Sequence, residues 1–460
     1  MMNLGEAAGI VHGKVGAAAA QRAIRHVITD SRTIREGDLF VALKGERFDG
    51  HDFVEDALRR GAAGALVAGD RAARYAPDAA CIAVRDTRLA LGQLARAWRA
   101  RFALPLIAVV GSNGKTTVTQ MIASILREHA GPAAFHTEGN LNNDIGLPLT
   151  LLRLRPQHRI GVVELGMNHR GEIAYLSGMA GPRVALVNNA QREHQEFMQS
   201  VAEVAAENAS IFDFLPHDGT AIVNADDAFA DYFVDRAGGR LTMTFGMDNA
   251  ADVRGAMGEA AFGSHLRLST PAGQAEVALR IAGRHNAMNA LAAAAAALAA
   301  GIPLPEVARG LAAFVPVPGR LAKIMLANGA IVLDDSYNAN PDSVRAAIDV
   351  LHGIDGRRVL VLGRMAEVGE QGPAFHREVG AYARERGIDA LLALGPEAAD
   401  SAQAFGAGGE TFADIEALIE AAHAAAQPGA TLLVKGSRSA RMERVVRALT
   451  GRSATNGENH

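Results

Sequence analysis

The run Gly111-Ser112-Asn113-Gly114-Lys115-Thr116 constrains this chain more than any other feature. An apolar stretch, 106–110, leads into it, and a helix-like stretch, 118–129, leaves it. Strand, glycine-bearing loop and helix in that order form a phosphate loop. Glycine lets the backbone approach an anion closely, and the first amides of the helix point at it. Lys115 adds a charge for the outer phosphates, and Thr116 offers a hydroxyl to Mg²⁺. The commoner pattern has an earlier glycine where this chain has Val109, so the loop is the short form. An ordinary strand-to-helix turn with a surface lysine is the bland alternative, and the strand-and-helix setting favours a nucleotide.

A chain of 460 residues exceeds one core, and two or three domains are expected. A net charge of −4 with interspersed signs excludes the basic stripe of a nucleic-acid binder. The single cysteine, Cys81, excludes an intrachain disulfide and a cysteine metal cluster, and its apolar setting predicts a small core residue. No secretory leader pattern opens the chain. The alanine-rich run 287–300 is too short to span a bilayer, which takes about 20 apolar residues, and reads as a buried helix. A cytoplasmic location follows as an expectation.

Residues 1–104 read as a small α/β unit, with strands at 38–43 and 65–68 and helices at 52–60 and 89–102. Residues 105–314 alternate strands (106–110, 160–165, 184–188, 220–224) with helices, which predicts a parallel sheet with right-handed crossovers. Polar alternation over 241–281 predicts an antiparallel flank, and the alanine-rich helix then closes the unit. The proline- and glycine-rich stretch 314–320 is a junction. Residues 315–452 repeat the alternation (strands at 331–333, 359–362, 390–394, 431–434) as a doubly wound, Rossmann-like unit. The tail 453–460 is polar and expected to be disordered. The fold class is thus α/β, in three domains.

Chemistry-bearing residues gather where these strands end. Glu164 at the end of 160–165 is placed for Mg²⁺, which prefers one or two carboxylates with phosphates and waters, or for a salt bridge. His194 follows the next strand and is either functional or a solvated loop histidine. Asn286 and Asn289 share a helix face and either read a purine edge or serve as a cap and a solvated amide. Asp335, Tyr337 and Asn338 follow strand 331–333, where α/β ligands bind. Lys435, Ser437 and Arg438 follow strand 431–434 and suit a carboxylate or phosphate, or form a capping turn.

Taken in order, these residues resemble those of the Mur ligases of peptidoglycan synthesis. Gly111, Asn113, Gly114, Lys115, Thr116 and Thr117 resemble that family's phosphate loop. Glu164 matches its metal glutamate, His194 its metal histidine, and Asn286 and Asn289 its adenine-side motif. Arg320 matches the arginine that opens its third domain. The stretches 139–146 (with Asn140 and Asn142), 335–341 and 435–439 resemble the branch that adds D-alanyl-D-alanine. Ser31 and Arg32, with 44–51, resemble its uridine-nucleotide domain.

The resemblance implies an ATP-dependent amide ligase with Mg²⁺, joining D-alanyl-D-alanine to UDP-N-acetylmuramoyl-tripeptide through an acyl phosphate. It makes Lys115 and His194 catalytic, and Thr116, Glu164 and His194 the metal set. Nucleotide contacts fall to the phosphate loop, Asn286, Asn289, Arg320, Asp335 and Asn338. Substrate contacts fall to Ser31, Arg32, Asn140, Asn142, Tyr337, Lys435, Ser437 and Arg438. A monomer is expected, with no nucleic-acid partner and no membrane insertion, and the junction near 315–319 as hinge.

A folylpolyglutamate synthase shares the loop, and a nucleotide-binding regulator without catalysis is the rival from another class. Three departures stand out. Asn208 occupies the place of a lysine that the family carbamylates. Gln191-Arg192-Glu193-His194 lacks the usual glycines. Arg364 stands where an acid is common.

Overall fold

The protein is described by a computed structural model covering residues 1–451 apart from 47, 76–78, 194–195 and 259–262. His194 and the tail 453–460 lie outside the described residues.

Three sheets follow one another along the chain. The first has four parallel strands in chain order: Val27–Ile28, Leu39–Val41, Gly64–Ala68 and Cys81–Val84. The expected helices are present as Val54–Arg59 and Thr87–Arg99. Asp86 starts the second of these, its carboxylate accepting from the amides of Arg88 and Leu89. Cys81 is not a fully buried core residue. It sits half-buried on the edge strand, whose outer side meets only an isolated bridge from Lys14 to Ala83 among the described residues. Burial still pushes its thiol up to about 11, which keeps it protonated and unreactive.

The central sheet has nine strands, and its middle is buried on both faces. Strand Leu106–Val110 shows how. Ile107 and Val109 enter one core, together with helices Lys115–Ala130 and Arg284–Ala299. Leu106, Ala108 and Val110 enter another, together with helices Thr87–Arg99, Gly146–Leu152 and Glu172–Ala180. A parallel strand covered on both sides needs this continuous apolar run rather than alternation. The first unit therefore contributes a helix to the second unit's core. Trp98 fixes it there by donating to the Leu154 carbonyl at 3.1 Å.

Two expectations for this unit change. The segment 241–281 is not wholly antiparallel. Leu241–Gly246 and Val253–Gly258 continue the parallel ladder, and only Ser264–Thr270 and Gly273–Leu279 are antiparallel. Alternation reports faces, not direction. Between the two parallel strands, Asp226 accepts the amides of Met247, Asp248 and Asn249 in the turn that leaves the first of them. Nor does the alanine-rich helix close the unit. Helix Leu304–Ala313 follows and seats Gly310 against the helix Lys115–Ala130, where Ser124 donates to the Gly310 carbonyl at 2.7 Å. A Cβ on Gly310 would come within 2.4 Å of the Ile125 Cα, so only glycine permits the approach.

The third sheet has six strands, in the order Ala322–Met325, Ile331–Asp335, Ala430–Lys435, Arg357–Leu362, Ala390–Leu394 and Gly409–Phe412. All pairs are parallel except the first. The last strand of the chain lies between two earlier ones. That places a crevice at its C-terminal end, where Asp335 and Lys435 sit. Strands Ala322–Met325 and Gly409–Phe412 were not anticipated, being short and only partly buried.

His376 braces this sheet's outer layer. It is buried, its Nε2 accepts from the Met365 amide at 3.2 Å, and its Nδ1 therefore carries the hydrogen that faces Ser401 Oγ. Burial pushes its pKa down to about 4. The folded value lies below the unfolded one of about 6.5, so its contribution is full above pH 6.5 and is lost as pH falls toward 4. That contribution is on the order of 3 kcal/mol. Melting curves between pH 7 and 4.5 should show a falling Tm, with a clearly smaller fall in His376→Gln. An equal pH dependence in the variant would refute the assignment.

Candidate active site

The phosphate loop depends on two left-handed glycines. Gly111 (φ +135°) and Gly114 (φ +81°) adopt conformations that side chains resist, and a Cβ on Gly114 would come within 2.4 Å of Asn289 Oδ1. The loop is braced from behind by amides. Asn188 and Asn189 donate to the Asn113 carbonyl at 2.8 and 3.0 Å. Asn188 also donates to Asn289 Oδ1 at 3.0 Å, and Asn289 to Asn286 Oδ1 at 3.2 Å. Neither Asn286 nor Asn289 is a solvated amide or the helix cap, since both are buried and hydrogen-bonded. Next to them His285 is held neutral, pushed down to about 4 by burial and then by the Lys435 ammonium.

The helix opens with Lys115, three residues earlier than the sequence pattern alone indicates. Lys115 Nζ donates to Gly111 O (2.5 Å), Ser112 O (3.0 Å) and Glu193 Oε1 (2.6 Å). Thr116 Oγ1 and Asn142 Nδ2 both donate to Glu164 Oε1, at 3.1 and 2.7 Å. Glu164 makes no salt bridge among the described residues. It is 2% exposed, and its Oε2 is buried without a partner among them. A buried carboxylate oxygen with an open lone pair, beside a threonine hydroxyl at a phosphate loop, fits a hard divalent cation. Among the described residues no cluster of three or more His, Cys, Asp or Glu side chains could hold a metal. Phosphate oxygens and water would have to complete the shell.

The third sheet faces this loop across one large cleft of about 1970 Å³. Asn340 Nδ2 donates to Asn113 Oδ1 at 2.8 Å, which ties the phosphate loop to the start of helix Pro341–His352. Lys435 is buried and bonds Asp335 Oδ2 at 2.6 Å and the Asn338 carbonyl at 2.9 Å. The guanidiniums of Arg320 and Arg438 lie 4.3 and 5.8 Å from the Tyr337 ring centre. Arg364 donates to Ser439 Oγ at 3.1 and 2.9 Å, bracing the 435–439 loop. At the junction, Gly319 N donates to Asp334 and Leu321 N to Asp335. Leu321 adopts φ +56°, a left-handed value of order 1 kcal/mol or more for such a side chain.

Asn113, Gly114, Lys115, Thr116, Thr117, Asn142, Glu164, Asn286, Asn289, Arg320, Asp335, Tyr337, Asn338, Lys435, Ser437 and Arg438 all line this cleft. Gly111, though part of the loop, does not line the cleft. Asn140 is exposed outside the cleft, and its carbonyl only accepts from the Asn142 amide. Ser31 and Arg32 are also not brought to it: Arg32 is exposed and paired with Asp30 at 2.8 Å. Asn208 is buried, not in the cleft lining, and its amide nitrogen has no partner among the described residues. Its neighbour Glu207 accepts the amides of Gly171 and Ile173 at the start of another helix and does not line the cleft.

Sequence reasoning missed the clamp around Arg192. That side chain pairs with Asp342 and with Glu378 (2.8 Å) from the third unit, while Arg345 shares Glu378. The hydrogen bonds from Arg192, and then Arg345, hold the Glu378 carboxyl near 2. The available signal was an arginine in a loop that departs from the family pattern.

The chain belongs to the Mur ligase family. The family's catalytic-domain model matches residues 23–99, its middle-domain model 109–297 and its glutamate ligase domain 319–438. The chain is 45% identical to the UDP-N-acetylmuramoyl-tripeptide–D-alanyl-D-alanine ligase of Escherichia coli (strain K12), over 92% of this chain and 93% of that one. A crystal structure of MurF from Acinetobacter baumannii matches with a TM-score of 0.90 and 34% identity, covering 98% of this chain and 99% of that one. The MurF ligase of Thermotoga maritima, in complex with ADP, matches at 0.81 and 27%, covering 92% and 97%.

Removing the Lys115 ammonium takes away the cation nearest the phosphate loop. Lys115→Ala should lower kcat by about 10²–10³, the usual effect of deleting a preorganised electrostatic group. Steady-state ADP release measures it, and turnover within threefold of the parent would contradict the role.

Proposed function

We propose that this chain is the ATP-dependent ligase that joins D-alanyl-D-alanine to UDP-N-acetylmuramoyl-tripeptide in peptidoglycan synthesis. The observation that carries the reading is the single cleft in which the phosphate loop and the strand ends of the third sheet face one another, joined by Asn113 and Asn340. The reading includes three domains, at 1–104, 105–314 and 315–452. It includes a monomer, because one chain supplies every wall of the cleft, and a cytoplasmic location, where ATP is available. No helix among the described residues is long and apolar enough to cross a membrane.

The tripeptide's terminal carboxylate attacks the γ-phosphorus of ATP. The bond from that phosphorus to the β–γ bridging oxygen breaks, giving an acyl phosphate and ADP. The amine of D-alanyl-D-alanine then adds to the acyl carbon. Phosphate leaves with the carbon–oxygen bond pair, and the amine gives up a proton. Little covalent work falls to the protein, so positioning and charge dominate. Lys115 and the loop amides hold the phosphates. Thr116, Glu164 and His194 would hold Mg²⁺, which supplies charge neutralisation on the phosphate oxygens when bound. Asn286 and Asn289 stand on the adenine side, and Arg320, Asp335 and Asn338 close the nucleotide from the third domain. Asn142 acts on the acceptor side through Glu164, which it orients. Tyr337, Lys435, Ser437 and Arg438 receive the dipeptide and peptide, Asn140 serves the substrate with the 139–146 stretch, and Ser31 and Arg32 serve the uridine end. Holding the reacting atoms in near-attack geometry is worth roughly 7–11 kcal/mol. Gly319 is tied to the third domain, so the hinge lies in 315–318.

A coupled assay of ADP release tests the reading. Turnover should require both UDP-N-acetylmuramoyl-tripeptide and D-alanyl-D-alanine. Equal turnover with a folate and glutamate would point to the synthase instead.

The lysines of this chain are Lys14, Lys44, Lys115, Lys323 and Lys435. Only Lys115 and Lys435 line the cleft, and both are paired with carboxylates. With Asn208 in the usual carbamate position, no cleft lysine is left to react with CO₂. Activity of degassed enzyme should therefore be unchanged by added bicarbonate. A large, reversible rise would show that a carbamate forms after all.

A further inference from the structure

The Lys115 ammonium has three N–H bonds, and all three are directed at partners within the protein. Two are carbonyls of the loop itself and cannot move without unmaking it. The third is the carboxylate of Glu193, on the segment after strand Val184–Val187. Both side chains of this pair are largely enclosed, at 14% and 11% exposure. A phosphate oxygen that reaches Lys115 while both loop carbonyls stay bonded takes the place of Glu193.

We propose that Glu193 is the resident counter-anion of the phosphate loop: it holds Lys115 in position before nucleotide arrives, and nucleotide binds and leaves by exchanging with it. The inference deepens the nucleotide reading of the cleft and rests on it. Carboxylate and phosphate are both acceptors of charge-assisted hydrogen bonds, and a phosphate of higher charge wins the exchange. The exchange lowers net nucleotide affinity, because the Lys115–Glu193 pair must first be broken. It also gives Lys115 a partner as product leaves, which speeds release.

The surrounding anchors suit this movement. Gln191 is fixed to the phosphate loop: its amide donates to Ser112 Oγ at 2.9 Å, and its side chain accepts from Asn113 Nδ2 at 2.7 Å. Arg192 is fixed to the third unit, its amide donating to Asp342 Oδ2 at 3.0 Å and its guanidinium to Asp342 and Glu378. The backbone entering Glu193 is therefore held from both sides of the cleft. The carboxylate can leave Lys115 by side-chain rotation while the backbone contact between the units stays in place. Glu193 is thus a positioning residue acting through Lys115.

The test is ADP titration by calorimetry on the full-length protein, in EDTA so that no divalent cation contributes. Parent, Glu193→Gln, Glu193→Ala and Glu193→Asp are compared. Glutamine keeps the shape and removes the charge, so Glu193→Gln and Glu193→Ala should bind ADP on the order of tenfold more tightly, since a neutral or absent acceptor competes less well for Lys115. Glu193→Asp, which keeps the charge, should stay within about threefold of the parent. A merely structural role would weaken binding in all three variants. Unchanged or weaker binding by Glu193→Gln and Glu193→Ala, with normal binding by the parent, overturns the exchange. Failure of the parent itself to bind ADP would overturn the nucleotide reading and the exchange with it.

Discussion

A loop that offers its amides to an anion must leave its own carbonyls to other partners, and the rest of this cleft follows from how that is done. The left-handed turns at Gly111 and Gly114 aim the backbone at the anion, and no side chain fits there because Asn188 and Asn289 already stand against the loop. Those asparagines form one lattice, running from Asn286 through Asn289 and Asn188 to the Asn113 carbonyl. Amides suit the task because each both donates and accepts, so a buried chain of them can be satisfied from end to end. The lattice spans helix Arg284–Ala299, the end of strand Val184–Val187 and the phosphate loop. Displacement of any of these elements would disturb the anion site.

That lattice can be rigid because the strand beneath it is packed on both faces. One core joins the central sheet to the alanine-rich helix and reaches into the third unit through Val344, Ile348 and Phe375. The other joins it to the first unit through Leu91, Leu94 and Trp98. The polar contacts between units are different in kind. Arg192, Asp342, Glu378 and Arg345 form a partly exposed network at the cleft. Exposed ion pairs contribute about 0–1 kcal/mol each, too little to lock two domains together but enough to select one arrangement. At the cleft itself the units meet through reversible charge pairing rather than apolar packing.

Much of this was legible in order along the chain. The strand Leu106–Val110, the loop and the run to Thr116 announce themselves because a phosphate loop is built from adjacent residues, and local spacing carries its physics. Glu164 was legible for a related reason: a carboxylate ending an apolar strand has few structural uses. Parallel and antiparallel strands at 241–281 were not separable, since alternation is common to both and Asp226, which accepts amides in the turn, is distant in sequence. The half-burial of Cys81 depended on its strand being an edge, which is a property of the sheet and not of the segment.

The sequence by itself determined the family, the α/β architecture, the phosphate loop and most of the residues that line the cleft. All of these are written in contiguous motifs, whose spacing is fixed by the covalent chain. Tertiary structure alone decided which residues meet. It joined Lys115 to Glu193, Asn113 to Asn340 and Arg192 to Asp342 and Glu378. It also withdrew Glu207 to a helix start and left Asn208 buried outside the cleft. These pairings run between residues far apart in the chain. They exist only because packing on both faces of the central sheet brings separate loops to one rim, and no local pattern records which side chains arrive there together.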